Sequence, residues 1–464
     1  HNIMKRIFLS ALMVSIIGFA TAAAQTITPF QKGDRVAIVG NSITDGGHYH
    51  SYIWLYYMTH FPYSELQIFN CGVGGDTSEH ILNRLDDDVF AKNPTVLTLT
   101  FGMNDSGYFE YNGDNPQTFA DQRVAFAKKN FAKIQERLKG LDDTRIVMIG
   151  TSPYDEMAQI DNTPFKRKNE AIKRIIELQK EAAWQNKWEF LDFNAPMTAI
   201  NSTGQQKNPA FTLCGSDRIH PDNNGHMVMA YLFLKAQGMV GKKVADISID
   251  AKAGKAIFTE NCLISNVKKN GRVLSFDYLA NSLPYPLDTI ARGWNMKFPQ
   301  SDIKQIIPSF MSEMNMEQLS VSGLKGQYQL LIDDEPIAVF TAESLARGIN
   351  LAECVNTPQY QQALTIMALN EERWEIERRF RDYAWLQYNF FLKHGLLNVN
   401  NQKAVKILSE KGMSDGWVRS KADLYGKMIH KDVRDAYWAE IKLLTDRIYE
   451  INKPVMHRVT LTPI

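Results

Sequence analysis

The chain has 464 residues, of which 44% are hydrophobic and 22% charged. This composition is typical of a soluble globular protein and excludes a fibrous, disordered or multi-span membrane protein. Lys and Arg total 52 and Asp and Glu total 51, so the charge balance gives no global basis for binding nucleic acid or an anionic membrane. At about 150 residues per domain, the length corresponds to two or three domains.

The N-terminus carries the three parts of a secretory signal. Lys5 and Arg6 precede an apolar run over 7–19, and small residues follow over 21–24. The run is shorter than the roughly 20 residues that cross a bilayer. We therefore expect a signal peptide over 4–24, export to the periplasm or the extracellular space, and no stable membrane insertion after cleavage. A retained N-terminal anchor is the alternative.

The cysteines are too few and too scattered for a disulfide scaffold. They stand at Cys71, Cys214, Cys262 and Cys354. No CxxC spacing suggests zinc, and no other cluster has convincing metal-ligand spacing. We expect neither a metal nor a cofactor, and the pairing state of the thiols stays open.

Five short apolar runs alternate with helical patterns between residues 34 and 240. The runs are Arg35–Gly40, Leu66–Asn70, Val96–Gly102, Arg145–Gly150 and Trp188–Phe193. The stretches 118–140 and 162–186 are long enough for crossover helices. This alternation predicts a parallel sheet covered by helices on both faces, in which ligand sites form outside the carboxyl ends of the strands.

Polar residues follow these strands at the edge where such a site would form. They lie in Gly40–Thr44, Asn70–Thr77, Gly102–Asp105 and Asp217–Pro221. Together the segments supply a hydroxyl, a glycine amide, a side-chain amide and an Asp/His pair, which is the set of groups that acyl transfer requires.

Each group has a definite role in that chemistry. The hydroxyl of Ser42 is a weak nucleophile and needs a base, for which His220 is the candidate. Asp217 can accept the Nδ1 proton of His220 and stabilise the imidazolium that forms during attack. The amides of Ser42 and Gly75 and the side-chain NH₂ of Asn104 can bind the oxyanion.

These segments resemble the SGNH hydrolase superfamily, also called GDSL esterases. The motifs place its four characteristic residues at Ser42, Gly75, Asn104 and His220, with Asp217 from its Asp-x-x-His block, and the resemblance covers residues 33–240. It implies an α/β fold, a three-layer αβα sandwich with a flavodoxin-like parallel sheet. The family includes esterases, thioesterases, lysophospholipases and carbohydrate O-acetylesterases.

One departure from the family pattern stands beside the nucleophile. The first block of the family usually reads Gly-Asp-Ser, whereas Asn41 precedes Ser42 here. Asn is nearly isosteric with Asp and can still orient the turn, but it removes a charge next to the nucleophile.

Other polar residues near these segments have two interpretations. Asp45, His48 and Tyr49 follow the nucleophile turn, where they either bind substrate or face solvent in a loop. For His226 we expect a packing role. The acidic run Asp86–Asp88 is most simply a solvated helix face.

Beyond the hydrolase domain, expected over 25–240, the pattern changes twice. Short alternating runs predict a small β-rich module over 245–345, with a hairpin turning at Asp333–Pro336. Residues 346–464 form a C-terminal helical region, with one helix ending near Gly395, a second over 420–452 and a terminal strand over 459–461. Its aromatic residues Trp374, Trp385 and Tyr388 fit core packing better than a sugar platform.

The sequence therefore predicts an exported serine esterase that hydrolyses small acyl esters, with acetyl groups on carbohydrates as the expected substrate. Its partner would be a small-molecule or polysaccharide acyl ester and not a nucleic acid. Two alternatives stay open: a lysophospholipase or lipase-type acylhydrolase, and a non-catalytic carbohydrate-binding protein on the same frame.

Overall fold

The computed structural model describes residues 26–464. The expected signal peptide over 4–24 lies outside this range. Within it, no helix combines the length and the apolar character that a bilayer crossing needs. The same residues contain no group of three or more His, Cys, Asp or Glu placed to hold a metal ion, and the four cysteines are free thiols.

The N-terminal part is built on one parallel sheet. Its strands are β1 (Arg35–Gly40), β2 (Gln67–Gly72), β3 (Val96–Leu99), β4 (Arg145–Gly150) and β5 (Glu189–Asp192). They run in the order β2-β1-β3-β4-β5, all in parallel. The five predicted strands and the flavodoxin-like order are confirmed, and strand order reverses beside β1, where α/β sheets form their binding crevices.

Helices cover both faces of this sheet. They are α1 (Ser42–Asp45), α2 (Tyr49–His60), α3 (Ser78–Arg84), α4 (Pro116–Lys139), α5 (Lys168–Asn186), α6 (Asn194–Lys207) and α7 (Asn223–Ala236). Side chains of β1 alternate between the two cores: Val36 and Ile38 pack with α2 and α7, whereas Ala37 and Val39 pack with α4. A sheet buried on both faces explains why its strands read as continuous apolar runs.

Two further sheets form the β-rich module. Their strands are β6 (Ala245–Asp250), β7 (Lys255–Glu260), β8 (Cys262–Asn270), β9 (Val273–Ala280), β10 (Glu317–Ser322), β11 (Gln327–Ile332), β12 (Glu335–Thr341), β13 (Ile349–Asn350) and β14 (His457–Pro463). The sheet orders are β13-β10-β6-β7 and β12-β11-β14-β9-β8. The C-terminal strand β14 therefore lies inside this module, between β11 and β9.

The predicted hairpin of this module is tighter than expected. Asp333 and Asp334 both have positive φ, 50° and 67°, which is the geometry of a two-residue turn that follows the twist of the strands. Pro336 already pairs with Leu331 inside the ladder, so the turn does not extend to it.

The remaining helices connect and complete the molecule. They are α8 (Ile303–Ile306), α9 (Phe310–Met314), α10 (Ala342–Arg347), α11 (Pro358–Leu386), α12 (Gln402–Ile407), α13 (Gly416–Met428) and α14 (Lys431–Ile451). The helical path of α11 continues to Gly395, whose φ of +68° ends it. The single helix expected over 420–452 is instead two helices, α13 and α14, which meet at Ile429–His430.

Helix α11 joins the helical region to the domain built on the parallel sheet. It packs against α14 on one side and α2 on the other, and Asn370 donates to Ser51 Oγ of α2 at 3.0 Å. From α14, Tyr449 accepts a hydrogen bond from Trp54 at 3.0 Å. Because helices from both parts cover α2, every residue of α2 is buried.

The acidic run at 86–88 corrects one prediction. Asp86 and Asp87 are exposed, as a solvated face requires, but Asp88 is buried. Its carboxylate accepts two hydrogen bonds from Arg381 of α11, at 2.7 and 3.0 Å, and one from Arg84 at 2.7 Å. Although burial alone would raise it, the cationic charges of Arg381, Lys92 and Arg84 hold the pKa of Asp88 well below its usual range.

Asp88→Asn should destabilise the protein because it leaves two buried guanidinium groups without their shared counter-charge. We expect the free energy of unfolding in urea to fall by about 3 kcal/mol at neutral pH. The folded-state pKa of Asp88 is depressed, so its stabilisation is present above the unfolded pKa of about 3.9 and is lost as pH falls through the folded value. Asp87→Asn, an exposed neighbour, should change stability by less than about 0.5 kcal/mol; equal stability of the two variants would contradict the prediction.

Candidate active site

Three residues distant in sequence form a continuous hydrogen-bonded chain. Ser42 begins α1 directly after β1, and its Oγ lies 2.8 Å from His220 Nε2. His220 Nδ1 lies 2.5 Å from Asp217 Oδ2. The structure thus brings together the predicted nucleophile, base and orienting carboxylate in the geometry that serine-based acyl transfer requires.

The loop that carries Asp217 and His220 is rigidly held. Asp217 Oδ1 accepts hydrogen bonds from the amides of Ile219 and His220, both at 2.9 Å. Between them, Arg218 has a φ of +69°, and its guanidinium donates to the carbonyl of Ala158 at 2.8 Å. Burial raises the pKa of Asp217, but the hydrogen bonds and charge of His220 outweigh it and the net shift is downward, so Asp217 is a carboxylate at neutral pH.

Asn41 occupies the N-cap of the nucleophile helix. Its side-chain Oδ1 accepts from the amide of Ile43 at 3.0 Å, which is the hydrogen bond that an Asp would accept there. Ser42 is the first residue of α1, and an amide in this position has no partner within its helix. The departure from the Gly-Asp-Ser pattern therefore preserves the capping contact.

Gly75 and Asn104 line the same cavity as Ser42 and His220. Gly75 lies in the loop after β2 with a φ of +78°, where glycine avoids the strain of a side chain. Asn104 donates one side-chain hydrogen bond to the carbonyl of Asp76 at 2.8 Å and accepts one from Tyr108 at 2.5 Å. Since its amide carries two hydrogens, one is available for a ligand.

The loop that carries Asn104 has a buried support that the sequence did not reveal. The ammonium of Lys168, at the start of α5, donates to the carbonyls of Met103 and Gly107 and to Ser106 Oγ, at 2.5, 2.7 and 2.7 Å. Burial lowers the pKa of Lys168 well below its usual range. A lysine in a helical pattern ordinarily indicates solvent exposure, so no sequence signal distinguished this one.

Of the three residues proposed from the sequence to bind substrate, the structure places only one at the cavity. Asp45 lines the cavity, and its carboxylate pairs with Arg378. His48 and Tyr49 do not line it: His48 is hydrogen-bonded to Glu371 at 3.1 Å, and Tyr49 to Thr44 at 2.7 Å. His48 is buried against Trp374 of α11, and Tyr49 is buried against His226 and Phe193, so neither the substrate-binding nor the solvent-facing interpretation fits them.

His226 also differs from a simple packing residue. It is buried and accepts a hydrogen bond from the amide of Tyr49 at 3.3 Å, as packing requires, but it also reaches the cavity wall. Burial lowers the pKa of its imidazole well below the usual range, so His226 is neutral.

The cavity has a volume of about 1380 Å³ and walls from three parts of the chain. The domain built on the parallel sheet contributes Ser42, His220 and the loop that contains Gly75. The segment 294–308 contributes a second wall. The helical region contributes the third, which contains Trp374, Arg378, Asp382, Trp385, Trp417 and Lys421. Tyr388 and Trp374 are buried, as predicted, although Trp374 and the half-buried Trp385 also line the cavity. Trp417, which the sequence did not single out, is 71% exposed.

Two family models match separate segments of the chain, and one solved structure matches nearly its whole length. The family model described as GDSL-like Lipase/Acylhydrolase family matches residues 38–228, and that described as Diltiazem deacetylase C-terminal helical domain matches residues 364–453. A solved gut microbial diltiazem-metabolizing enzyme is 59% identical, with a TM-score of 0.94, over 95% of this chain and 100% of that one. Acetylxylan esterase of Geobacillus stearothermophilus is 24% identical over 225 residues, 45% of this chain and 95% of that protein.

Lys168→Met should destabilise the protein, because it removes the buried support of the loop that carries Asn104. The substitution leaves the buried carbonyls of Met103 and Gly107 without their donor, and each unsatisfied group costs about 1 to 3 kcal/mol. We expect the free energy of unfolding to fall by roughly 3 kcal/mol, measured by urea denaturation. Lys166→Met, at an exposed site two residues away, is the matched control. Wild-type stability of Lys168→Met would show that the buried ammonium does not hold the loop.

Proposed function

The chain belongs to the GDSL-like lipase/acylhydrolase family, whose members hydrolyse ester bonds, and we propose that it is an exported serine esterase that removes acetyl groups from bulky alcohols. The observation that carries the proposal is the 2.8 Å contact between Ser42 Oγ and His220 Nε2 at the wall of a large cavity. The expected signal peptide is the basis for export.

In the acylation step, Ser42 Oγ attacks the acyl carbon while His220 Nε2 takes the hydroxyl proton. Negative charge moves to the former carbonyl oxygen, toward the amides of Ser42 and Gly75 and the side chain of Asn104. One such donor contributes about 3 to 4 kcal/mol to transition-state stabilisation. Collapse of the intermediate breaks the bond to the alcohol oxygen, which leaves with the proton from His220.

Water then attacks the acetyl ester of Ser42, with His220 acting again as base. The proton returns to Ser42 Oγ, and acetate leaves. Throughout both steps the carboxylate of Asp217, 2.5 Å from Nδ1, holds the ring orientation and stabilises the imidazolium.

The alcohol side of the substrate is proposed to be bulky because the cavity is large and its walls carry tryptophans. Trp374, Trp385 and Trp417 come from the helical region, and Trp294 comes from the opposite segment, where it is 90% exposed. Trp417 is also exposed, Trp385 is half-buried and Trp374 is buried, and the exposed indole rings suit a planar or sugar ring. The relative named as diltiazem-metabolizing and the family named for diltiazem deacetylase support an acetylated ring compound, and acetylxylan esterase supports a sugar.

Purified residues 25–464 should hydrolyse para-nitrophenyl acetate faster than the butyrate and far faster than the octanoate. Ser42→Ala should lower kcat on the order of 10⁴-fold or more because it removes the nucleophile. Ser202→Ala, an exposed serine of α6, is the control and should keep full activity. Faster hydrolysis of octanoate would favour the lipase alternative, and retained turnover by Ser42→Ala would rule out the serine mechanism.

Trp417→Ala should weaken binding of bulky acetyl esters alone. With diltiazem or an acetylated xylooligosaccharide as substrate, we expect KM to rise roughly fivefold, the effect of losing about 1 kcal/mol of ring stacking. The KM for para-nitrophenyl acetate should stay unchanged. Trp184→Ala provides the control, since Trp184 is 87% exposed and does not line the cavity. Equal effects of the two substitutions would remove Trp417 from the binding surface.

A further inference from the structure

One buried carboxylate joins the nucleophile turn, the glycine loop and the helical region. Asp45 is the last residue of α1, the helix that Ser42 begins. Its Oδ2 accepts a hydrogen bond from the amide of Gly74 at 2.9 Å, and its Oδ1 pairs with the guanidinium of Arg378 of α11. The glycine next to Gly75 is therefore tied to the serine turn through a side chain that Arg378 holds.

The same glycine loop is fixed from the helical region at further points. Arg381 Nε donates to the carbonyl of Gly72 at 2.8 Å. Asn389 donates to the carbonyl of Gly74 at 3.4 Å and to the carboxylate of Asp76 at 3.2 Å. These contacts tie the end of β2 and the glycine loop that follows it, residues 72–76, to the helical region.

The charged side chains with the largest influence on Asp45 come from α11. Arg378 and Arg381 face it as cations and Asp382 as an anion, and Asp45 itself is 5% exposed. Burial raises the pKa of Asp45, and Arg378 is the largest opposing influence. Without Arg378, the buried carboxylate of Asp45 would keep the hydrogen bond from the Gly74 amide but lose its nearest counter-charge. A buried carboxylate without a counter-charge takes up a proton or moves toward water.

We propose that Arg378 is a positioning residue for ester hydrolysis, which acts through Asp45 to fix the Gly74–Gly75 backbone relative to Ser42 Oγ. The inference rests on the proposed function, because it takes the Gly75 amide as a donor to the oxyanion. It makes the helical region part of the catalytic machinery, since the geometry of the oxyanion site depends on a guanidinium supplied from α11.

Arg378 also lines the cavity, so a direct contact with substrate is the competing explanation. The two roles predict different kinetics. A substrate contact would raise KM for bulky esters and spare para-nitrophenyl acetate. A positioning role acts on the transition state of every ester, so it lowers kcat for small and bulky substrates alike and leaves KM nearly unchanged.

The test compares Arg378→Met and Arg378→Lys with Arg379→Met, measured on para-nitrophenyl acetate and on diltiazem. Arg379 is the matched control because it lies on the same helix but packs its guanidinium on Tyr437 of α14. We expect Arg378→Met to lower kcat about 10- to 100-fold on both substrates, the effect of a small displacement of a catalytic group. Arg378→Lys should recover part of the loss, and Arg379→Met should keep wild-type kcat.

A double-mutant cycle with Asp45→Ala separates positioning from general damage to the fold. If Arg378 acts through Asp45, the double variant should be no slower than Asp45→Ala alone. Should Arg378→Met fail to fold by thermal denaturation, Arg378→Lys and Asp45→Asn provide the same comparison.

An increase in KM without loss of kcat, unchanged kinetics of Arg378→Met, or additive effects in the cycle would each overturn the inference while the proposed function stands. A folded wild-type chain that hydrolyses no ester would overturn the proposed function and this inference with it.

Discussion

The packing of the helical region on the hydrolase domain depends on one buried carboxylate, that of Asp88. Arg84 of the hydrolase domain and Arg381 of the helical region share it. Arg84 also donates to the carbonyls of Gly40 and Cys71, at 2.9 and 2.8 Å, which are the ends of the two strands that precede the nucleophile and glycine loops. Asp76 pairs with Arg84 as well, so the cluster holds four buried charges, whose desolvation is expensive unless each has its partner. The two parts of the chain therefore satisfy each other's buried charges and cannot separate without leaving a guanidinium unpaired.

This constraint explains why the helical region reaches the cavity that Ser42 lines. Once Arg381 fixes the path of α11, Arg378 lies one turn earlier and meets Asp45, and Trp374 lies a further turn away, where its indole donates to the carbonyl of Gly47 at 2.9 Å. The same helix thus supports the loops on one side and forms a cavity wall on the other. The appended helices therefore close one side of the cavity and set its size.

Most of the hydrolase fold was predictable because its signals are local. Apolar runs gave the strands and their parallel arrangement, and the residues just after them gave Ser42, Gly75, Asn104, Asp217 and His220, which the structure brings to one cavity. Asp88, Lys168, His48 and Tyr49 were not predictable in the same way. Their burial results from contacts with segments distant in the chain, such as Arg381 with Asp88 and Glu371 with His48, and a single sequence contains no local pattern that records such contacts.

We propose that His220 makes Ser42 nucleophilic. Mass spectrometry of the full chain after brief exposure to a fluorophosphonate tests it most directly, because the reagent bonds to an activated serine and needs no knowledge of the natural ester. We expect one adduct, located on the peptide that contains Ser42, and its loss in a folded His220→Ala variant. Labelling of a different serine, or equal labelling of Ser42 without His220, would contradict it.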